Sequence, residues 1–388
     1  MSTGTSGGLL DNHDQHAQSV FKHEILRQYI KRFISMLGKT SKGNQVAILD
    51  GFAGRGRYPD GREGSAEFIL KAAFDLAATR RVTSFFVEKN PEHFRSLQRV
   101  VREYTARGLD AHALHGSVQD HLNMVVRAAD QIPLFLFLDP CGAVLPFEQL
   151  VAVLSGPRRH ERPQTELLLN FSADLSRRVA GALEKGHTGQ RVMDQTCGGT
   201  WWRDLAIEVR RSSTTQSFQE VADAIVTEYA RRLAEATGMY SALAPVRKRL
   251  HHQPIYHMVF FTRSPYGLWV FGDAIGKAKV KWLQHLGRLE DDPVTDNVLF
   301  PLEEAFKSII RNQERQAQKI VTENIKRLLQ ELGSFKVVTK TAEIFGDAYG
   351  TATESTVYRV LRELKKNNEL AVIKDAPRLR EQVIGLPY

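Results

Sequence analysis

Short, continuous apolar runs alternate with helix-sized amphipathic stretches through the first two thirds of the chain. Val46-Ala47-Ile48-Leu49, Ser84-Phe85-Phe86-Val87, Leu134-Phe135-Leu136-Phe137-Leu138 and Leu167-Leu168-Leu169-Asn170-Phe171 are brief and almost uninterrupted, as strands buried on both faces are. A less apolar run, Asp110 to Leu114, predicts another strand. After the second run, Asn90-Pro91 caps and opens a helix carrying Phe94, Leu97, Val101 and Tyr104 at helical spacing. Upstream, Phe21, Ile25, Tyr29, Phe33 and Leu37 recur every fourth position, which predicts an amphipathic helix packed on the sheet. Strands alternating with helices predict a doubly wound, Rossmann-like α/β sheet with ligands at its carboxyl edge.

The pattern changes twice downstream. Residues 172 to 250 read as a helical, basic insertion, and Ile255 to Thr262 with Leu268 to Phe271 read as an antiparallel hairpin closing the sheet. Beyond Asp291-Asp292-Pro293 a long helix is expected from Leu302 to Leu332, then a short helix from Lys340 to Phe345, a turn at Gly346 to Gly350 and a second helix from Thr353 to Lys366. Thr353 is the expected N-cap of that second helix, and Val357, Val360, Leu361 and Leu364 its apolar face. Two short strands, near Leu370 to Ile373 and Gln382 to Ile384, complete a winged-helix-like arrangement. The expected organisation is a flexible N-terminus (1–18), a Rossmann-like domain (19–290) and a helical linker with the winged-helix-like domain (291–388). Ser355, Thr356, Arg359, Arg362 and Lys365 form the predicted exposed face of the second helix, suited to phosphates or base edges of DNA or RNA. Protein contact is the competing use of such a domain.

The candidate chemistry sits at the strand ends. Asp50-Gly51-Phe52-Ala53-Gly54-Arg55-Gly56 follows the first strand directly, and glycines there let backbone approach a ligand closely and adopt positive φ. A dinucleotide site wants a third glycine opening a helix, but Arg57-Tyr58-Pro59-Asp60-Gly61 reads as a turn. An acid with spaced glycines suits S-adenosylmethionine, which is cationic and lacks phosphate. Asp50, Gly51, Phe52, Gly54 and Gly56 are therefore cofactor candidates.

Glu88 ends the second strand, where a carboxylate can accept from both hydroxyls of a ribose. It lies 38 positions after Asp50, against roughly 20 in the dinucleotide pattern, and the excess includes a loop from Arg57 to Ser65 expected to act as a lid or substrate element. Ser117, Val118 or Gln119, after the third strand, would hold the adenine. Asp139-Pro140 ends the fourth strand, beside the expected position of a transferable methyl group, and Asp139 is the candidate catalytic residue. In amino-methyltransferases with D-P-P-Y or N-P-P-Y at this point an aromatic stacks on an extruded base, whereas here Cys141-Gly142 follows. Cys141 next to Pro140 also resembles the nucleophile of cytosine-C5 enzymes, but a free Cys is commonly a buried packing residue.

The stretches Phe21-Lys22-His23-Glu24-Ile25-Leu26, Leu49 through Tyr58, Asp60-Gly61-Arg62-Glu63-Gly64-Ser65, Phe137 through Gly142 and Glu166 through Phe171 resemble the bacterial three-Cys-motif partner family, TcmP, over roughly residues 15 to 290. The resemblance implies a class I methyltransferase-type core and association with a partner protein bearing a three-cysteine motif. It implies no particular substrate.

Net charge is +9, from 53 Lys and Arg against 44 Asp and Glu in 388 residues, which favours an anionic partner without naming it. Two cysteines exclude a disulfide scaffold and fit a reducing, cytoplasmic compartment. No apolar run approaches the ~20 residues that span a bilayer, and the first residues do not form a signal peptide. His13, His16 and His23, and His251, His252 and His257, lack the Cys or carboxylate spacing of a metal site. Two readings follow: an S-adenosylmethionine-dependent methyltransferase acting on a nucleic acid or a partner-bound substrate, or a non-catalytic nucleic-acid-binding or assembly protein built on the same scaffold.

Overall fold

A computed structural model of the chain describes residues 17–140, 142–143, 145–183, 189–214, 217–290 and 302–387. Cys141, His13, His16, the segment Asp291-Asp292-Pro293 and the expected flexible N-terminus up to residue 16 lie outside them, whereas residues 17 and 18 already belong to a helix. The chain divides into two compact units, Ile30–Arg263 and a second comprising residues 17–29 and those after Arg263. The division thus falls upstream of the boundary drawn at residue 290. The first helix, α1 (Ala17–Thr40), contributes to both units.

In the first unit the elements run β1 (Gln45–Asp50), α2 (Ser65–Asp75), β2 (Arg81–Glu88), α3 (Pro91–Thr105), β3 (Asp110–His115), α4 (Val118–Ala128), β4 (Leu134–Leu138), α5 (Phe147–Ser155) and β5 (Thr165–Ser172). They continue as α6 (Ala173–Gly181), α7 (Gly189–Cys197), α8 (Trp201–Ser212), α9 (Phe218–Thr237), β6 (Tyr240–Val246) and β7 (Tyr256–Thr262). The strands form one seven-stranded sheet in the order β3-β2-β1-β4-β5-β7-β6. The first five are parallel, and β7 runs antiparallel to both β5 and β6. This is a mixed α/β sheet whose order reverses between β1 and β4, the crevice where open α/β sheets place ligands. Every residue of β4 is fully buried, as its uninterrupted apolar run requires. On one face, Ala47, Leu49, Phe85, Val87, Leu136, Leu138, Leu169 and Phe171 join the core with α4, α5 and α9. On the other, Phe33 of α1 packs with its ring 5.3 Å from that of Phe135.

Two expectations are corrected here. The partner of β7 is Tyr240–Val246, not Leu268 to Phe271, which lie inside the helix α10 (Pro265–Glu290). A four-residue apolar run cannot by itself distinguish strand from buried helix, and Pro265 at the helix start supplies the helical φ. For the same reason the helical insertion ends earlier than residue 250. Its last helix stops at Thr237, where Gly238 takes φ 63° at the C-cap, and β6 follows.

The second unit contains α10, α11 (Leu302–Leu332), β8 (Ser334–Lys336), α12 (Thr341–Phe345), α13 (Glu354–Lys366), β9 (Ala371–Lys374) and β10 (Val383–Gly385). Its strands form an antiparallel sheet ordered β8-β10-β9. The strand β8 was not anticipated from the sequence, being too short to show a period. Val321, Ile325, Phe345, Val357, Val360, Leu361 and Leu364 share one buried cluster with Trp269. The Thr353 side chain accepts from the Thr356 amide and caps α13 as expected. Thr356 itself is buried, not exposed, because its hydroxyl turns back onto the Thr353 amide in a reciprocal capping arrangement.

Candidate functional site

Sheet register places the candidate carboxylates on one face. Asp50 stands opposite Phe86 on β2 and Phe137 on β4, and two residues onward along those strands are Glu88 and Asp139. Residues two apart share a face, so Asp50, Glu88 and Asp139 all emerge opposite the face bearing Leu49, Val87 and Leu138. They do so at the carboxyl edge of the sheet, Asp50 and Asp139 on the two strands that flank the topological switch and Glu88 on the neighbouring β2.

The glycine loop is braced from beneath. Asp50 is fully buried, with Oδ1 accepting from the Phe52 amide at 3.2 Å and Oδ2 accepting from the Ser65 hydroxyl at 2.6 Å. The Gly51 amide donates to the Phe137 carbonyl at 2.9 Å, and the Ala53 amide donates to the Val87 carbonyl at 3.0 Å, stitching the loop across three strands. A Cβ on Gly51 would lie 2.7 Å from Leu138 Cδ2 and 2.9 Å from Val118 Cγ2. Gly54 and Gly56 take φ of 61° and 75°, the left-handed region that glycine enters without cost. Beside Gly54 the space is open, whereas Gly56 is pressed against Leu97 and Val100 of α3.

Arg57 to Glu63 is a small ordered hairpin, with the Tyr58 amide donating to the Arg62 carbonyl at 2.8 Å and the Gly61 amide to the Tyr58 carbonyl at 2.9 Å. Its anchor is Arg57, which forks onto Glu67 of α2 at 2.7 and 2.9 Å and reaches Glu103 of α3 at 2.9 Å. Tyr104 donates to the same Glu67 at 3.3 Å. Burial alone would raise the Glu67 carboxyl, but the Arg57 hydrogen bonds, the positive charges of Arg57 and Lys71 and the Tyr104 hydroxyl together outweigh it and hold the group below the usual range. Tyr104, desolvated and beside that carboxylate, is pushed up to about 12.

Glu88 is buried and its Oε1 accepts from the Asn90 amide at 2.7 Å. Asn90 in turn caps α3, accepting from the Glu92 and His93 amides. Ser117 caps α4: its hydroxyl and its amide both donate to Asp120, at 2.6 and 2.9 Å. Val118 is buried in the core beneath Gly51, and Gln119 is exposed. Pro140 is buried and Asp139 half-buried. Asp139 Oδ1 accepts from Asn170 Nδ2 at 2.8 Å.

In the second unit, Arg359, Arg362 and Lys365 are exposed along α13 with Ser355. Arg359 pairs with Glu314 of α11 at 3.3 Å, and the Arg362 guanidinium lies 5.6 Å from the Tyr358 ring centroid. Among the described residues no cluster of His, Cys, Asp and Glu could hold a metal ion, and no helix is long and apolar enough to cross a membrane.

Several site residues escaped the sequence reading: Ser65, Glu67 and Asn170. Ser65 and Glu67 lie in the D-G-x-x-G-S block and just after it, but nothing in the spacing pairs them with Asp50 and Arg57. Asn170 had a visible signal, being the one polar residue inside an apolar run.

No family model and no curated protein matches the chain, so the three-Cys-motif partner resemblance gains no support there. Solved structures that are similar include a caffeoyl-CoA O-methyltransferase from Staphylococcus aureus, at 12% identity over 60% of this chain and 80% of that one, TM-score 0.32. Another is the O-methyltransferase from Bacillus cereus in complex with SAH, at 11% identity over 66% of this chain and 93% of that one, TM-score 0.30. A third is the small RNA methyltransferase HEN1, at 11% identity over 63% of this chain and 26% of that one, TM-score 0.33.

Proposed function

We propose that this protein is an S-adenosylmethionine-dependent methyltransferase acting on a nucleic acid. The observation that carries the reading is the convergence of Asp50, Glu88 and Asp139 on one face at the topological switch, around a glycine loop with positive φ at Gly54 and Gly56. The residues fit the cofactor. Open space beside Gly54 admits a ligand, while Gly51 and Gly56 are packed and shape the loop. Among the described residues Glu88 spends one oxygen on the Asn90 amide, which leaves Oε2 to accept from a ribose hydroxyl. Ser117 borders the adenine position with Phe52 as an apolar wall, while Val118 and Pro140, both buried, support the site without facing the cofactor. Asp50 acts through the loop, since its oxygens hold Phe52 and Ser65. When bound, the cofactor supplies a methyl group on a sulfonium. Asp139 holds the acceptor by a hydrogen bond and takes its proton.

The second unit is, in this reading, a winged helix with α12 and α13 as its helix pair and β9 and β10 as its wing, gripping nucleic acid through Arg359, Arg362 and Lys365. The partner with a three-cysteine motif would bring or complete the substrate. Calorimetric titration with S-adenosylmethionine and S-adenosylhomocysteine tests the core claim. Methyl-tritiated cofactor with RNA, DNA and protein acceptors then tests Asp139: general acid–base help is worth roughly 10²–10⁴-fold, so Asp139→Ala should nearly abolish transfer and leave cofactor affinity within a few-fold. Cofactor binding without transfer to any acceptor, with the partner present, favours the scaffold reading, which the replacement of the stacking aromatic by Cys141-Gly142 already supports.

A further inference from the structure

Among the described residues, nothing donates to the buried side-chain oxygen of Asn170. The residue is 7% exposed, its Nδ2 donates to Asp139, and its Oδ1 is buried with no hydrogen-bond partner among the described residues. The amide cannot be turned to cure this, because Oδ1 would then face a carboxylate, acceptor against acceptor. Leu138 and Leu169 are register partners, so Asp139 and Asn170 are the next pair across β4 and β5. Both lie on the face that also bears Asp50 and Glu88. A buried acceptor left unpaired is costly, and each such group in a native protein calls for an explanation.

We infer that Asn170 Oδ1 and the Asp139 carboxylate form an acceptor pair that reads the two hydrogens of an exocyclic nucleobase amine. The inference rests on the methyltransferase reading and narrows its substrate to a base bearing N–H₂. Two adjacent acceptors match a group with two donors, and a carbonyl at the same position would set oxygen against oxygen. The base must leave its stack to reach the sheet edge, and the net charge of +9 favours a nucleic-acid strand over a peptide amide as its source.

The test uses the full chain and single-stranded oligothymidylates carrying one adenine, or one hypoxanthine in its place, with a cytosine and uracil pair as the second arm. Calorimetry on the wild type should show about tenfold or greater preference for the amine-bearing member of at least one pair, and the arm that discriminates identifies the base. In Asn170→Ala the preference should collapse while S-adenosylmethionine affinity stays within a few-fold. Because that variant can fail to fold, the Asn170 side-chain amide resonances of the wild type are followed in parallel. They should shift with the amine oligonucleotide and not with its carbonyl counterpart. Equal affinity within both pairs, or unmoved Asn170 resonances, overturns the inference, as does preferential binding of a glutamine-bearing peptide. Loss of cofactor binding with base discrimination intact would instead refute the methyltransferase reading alone.

Discussion

The Ser65 hydroxyl donates to Asp50 Oδ2 at 2.6 Å, tying the first residue of α2 to the last residue of β1. The glycine loop is therefore closed at both ends by one fully buried carboxylate. A hydrogen bond to a charged group is typically worth about 1.5–3 kcal/mol. Ser65→Ala should cost stability on that scale in urea unfolding and should weaken S-adenosylmethionine, whereas Ser65→Thr, which keeps the hydroxyl, should retain most of both. Wild-type stability in Ser65→Ala would show that the Asp50 carboxylate finds another donor.

Gly51 has no room for a side chain. Its Cβ would meet Leu138 and Val118 inside van der Waals contact, and overpacking a filled site typically costs about 1–3 kcal/mol. Gly51→Ala should be destabilised accordingly, and Gly51→Ala with Val118→Ala should recover part of the loss. Additive losses in the double variant would mean the contact is not what restricts the position.

Glu88→Ala removes the proposed ribose acceptor. Loss of a charged acceptor typically weakens binding by roughly one to two decades. Titration of the variant with S-adenosylhomocysteine checks this, and unchanged affinity would remove Glu88 from the site.

The Arg57 anchor gives the hairpin a pH dependence. Because Glu67 sits below its ordinary range in the folded chain, the unfolded chain binds more protons in acid, so this contribution is complete above the ordinary glutamate pKa and fades as pH falls through the folded value. Between about pH 5 and pH 3, the melting temperature of the wild type should fall more than that of Glu67→Gln. Parallel curves for the two proteins would show that Glu67 is not linked to folding.

On α13, neutralising Arg359, Arg362 and Lys365 together should reduce nucleic-acid affinity and flatten its salt dependence, since each lost phosphate contact lowers the slope by about 1. Cofactor affinity should not change. Arg359, shared with Glu314, should contribute least when replaced singly. An unaltered salt slope in the triple variant would favour protein contact as the role of this unit.

The strands β1, β2, β4 and β5 were legible because burial on both faces demands uninterrupted apolar residues, and the glycine loop because positive φ demands glycine. The helix α13 was legible because Thr353 caps it and Val357, Val360, Leu361 and Leu364 repeat at helical period. What these local signals could not specify was pairing. Leu268 to Phe271 are as apolar as a strand, yet they pack as one turn of α10, and Tyr240–Val246 takes the place beside β7. The same limit held at the site. Asp50, Glu88 and Asp139 announced themselves as acids at strand ends, but strand order and register alone brought them to one face. Register also set Asn170 beside Asp139 and left its oxygen unpaired, and no spacing along the chain encodes that, because a contact across neighbouring strands depends on how a whole sheet closes.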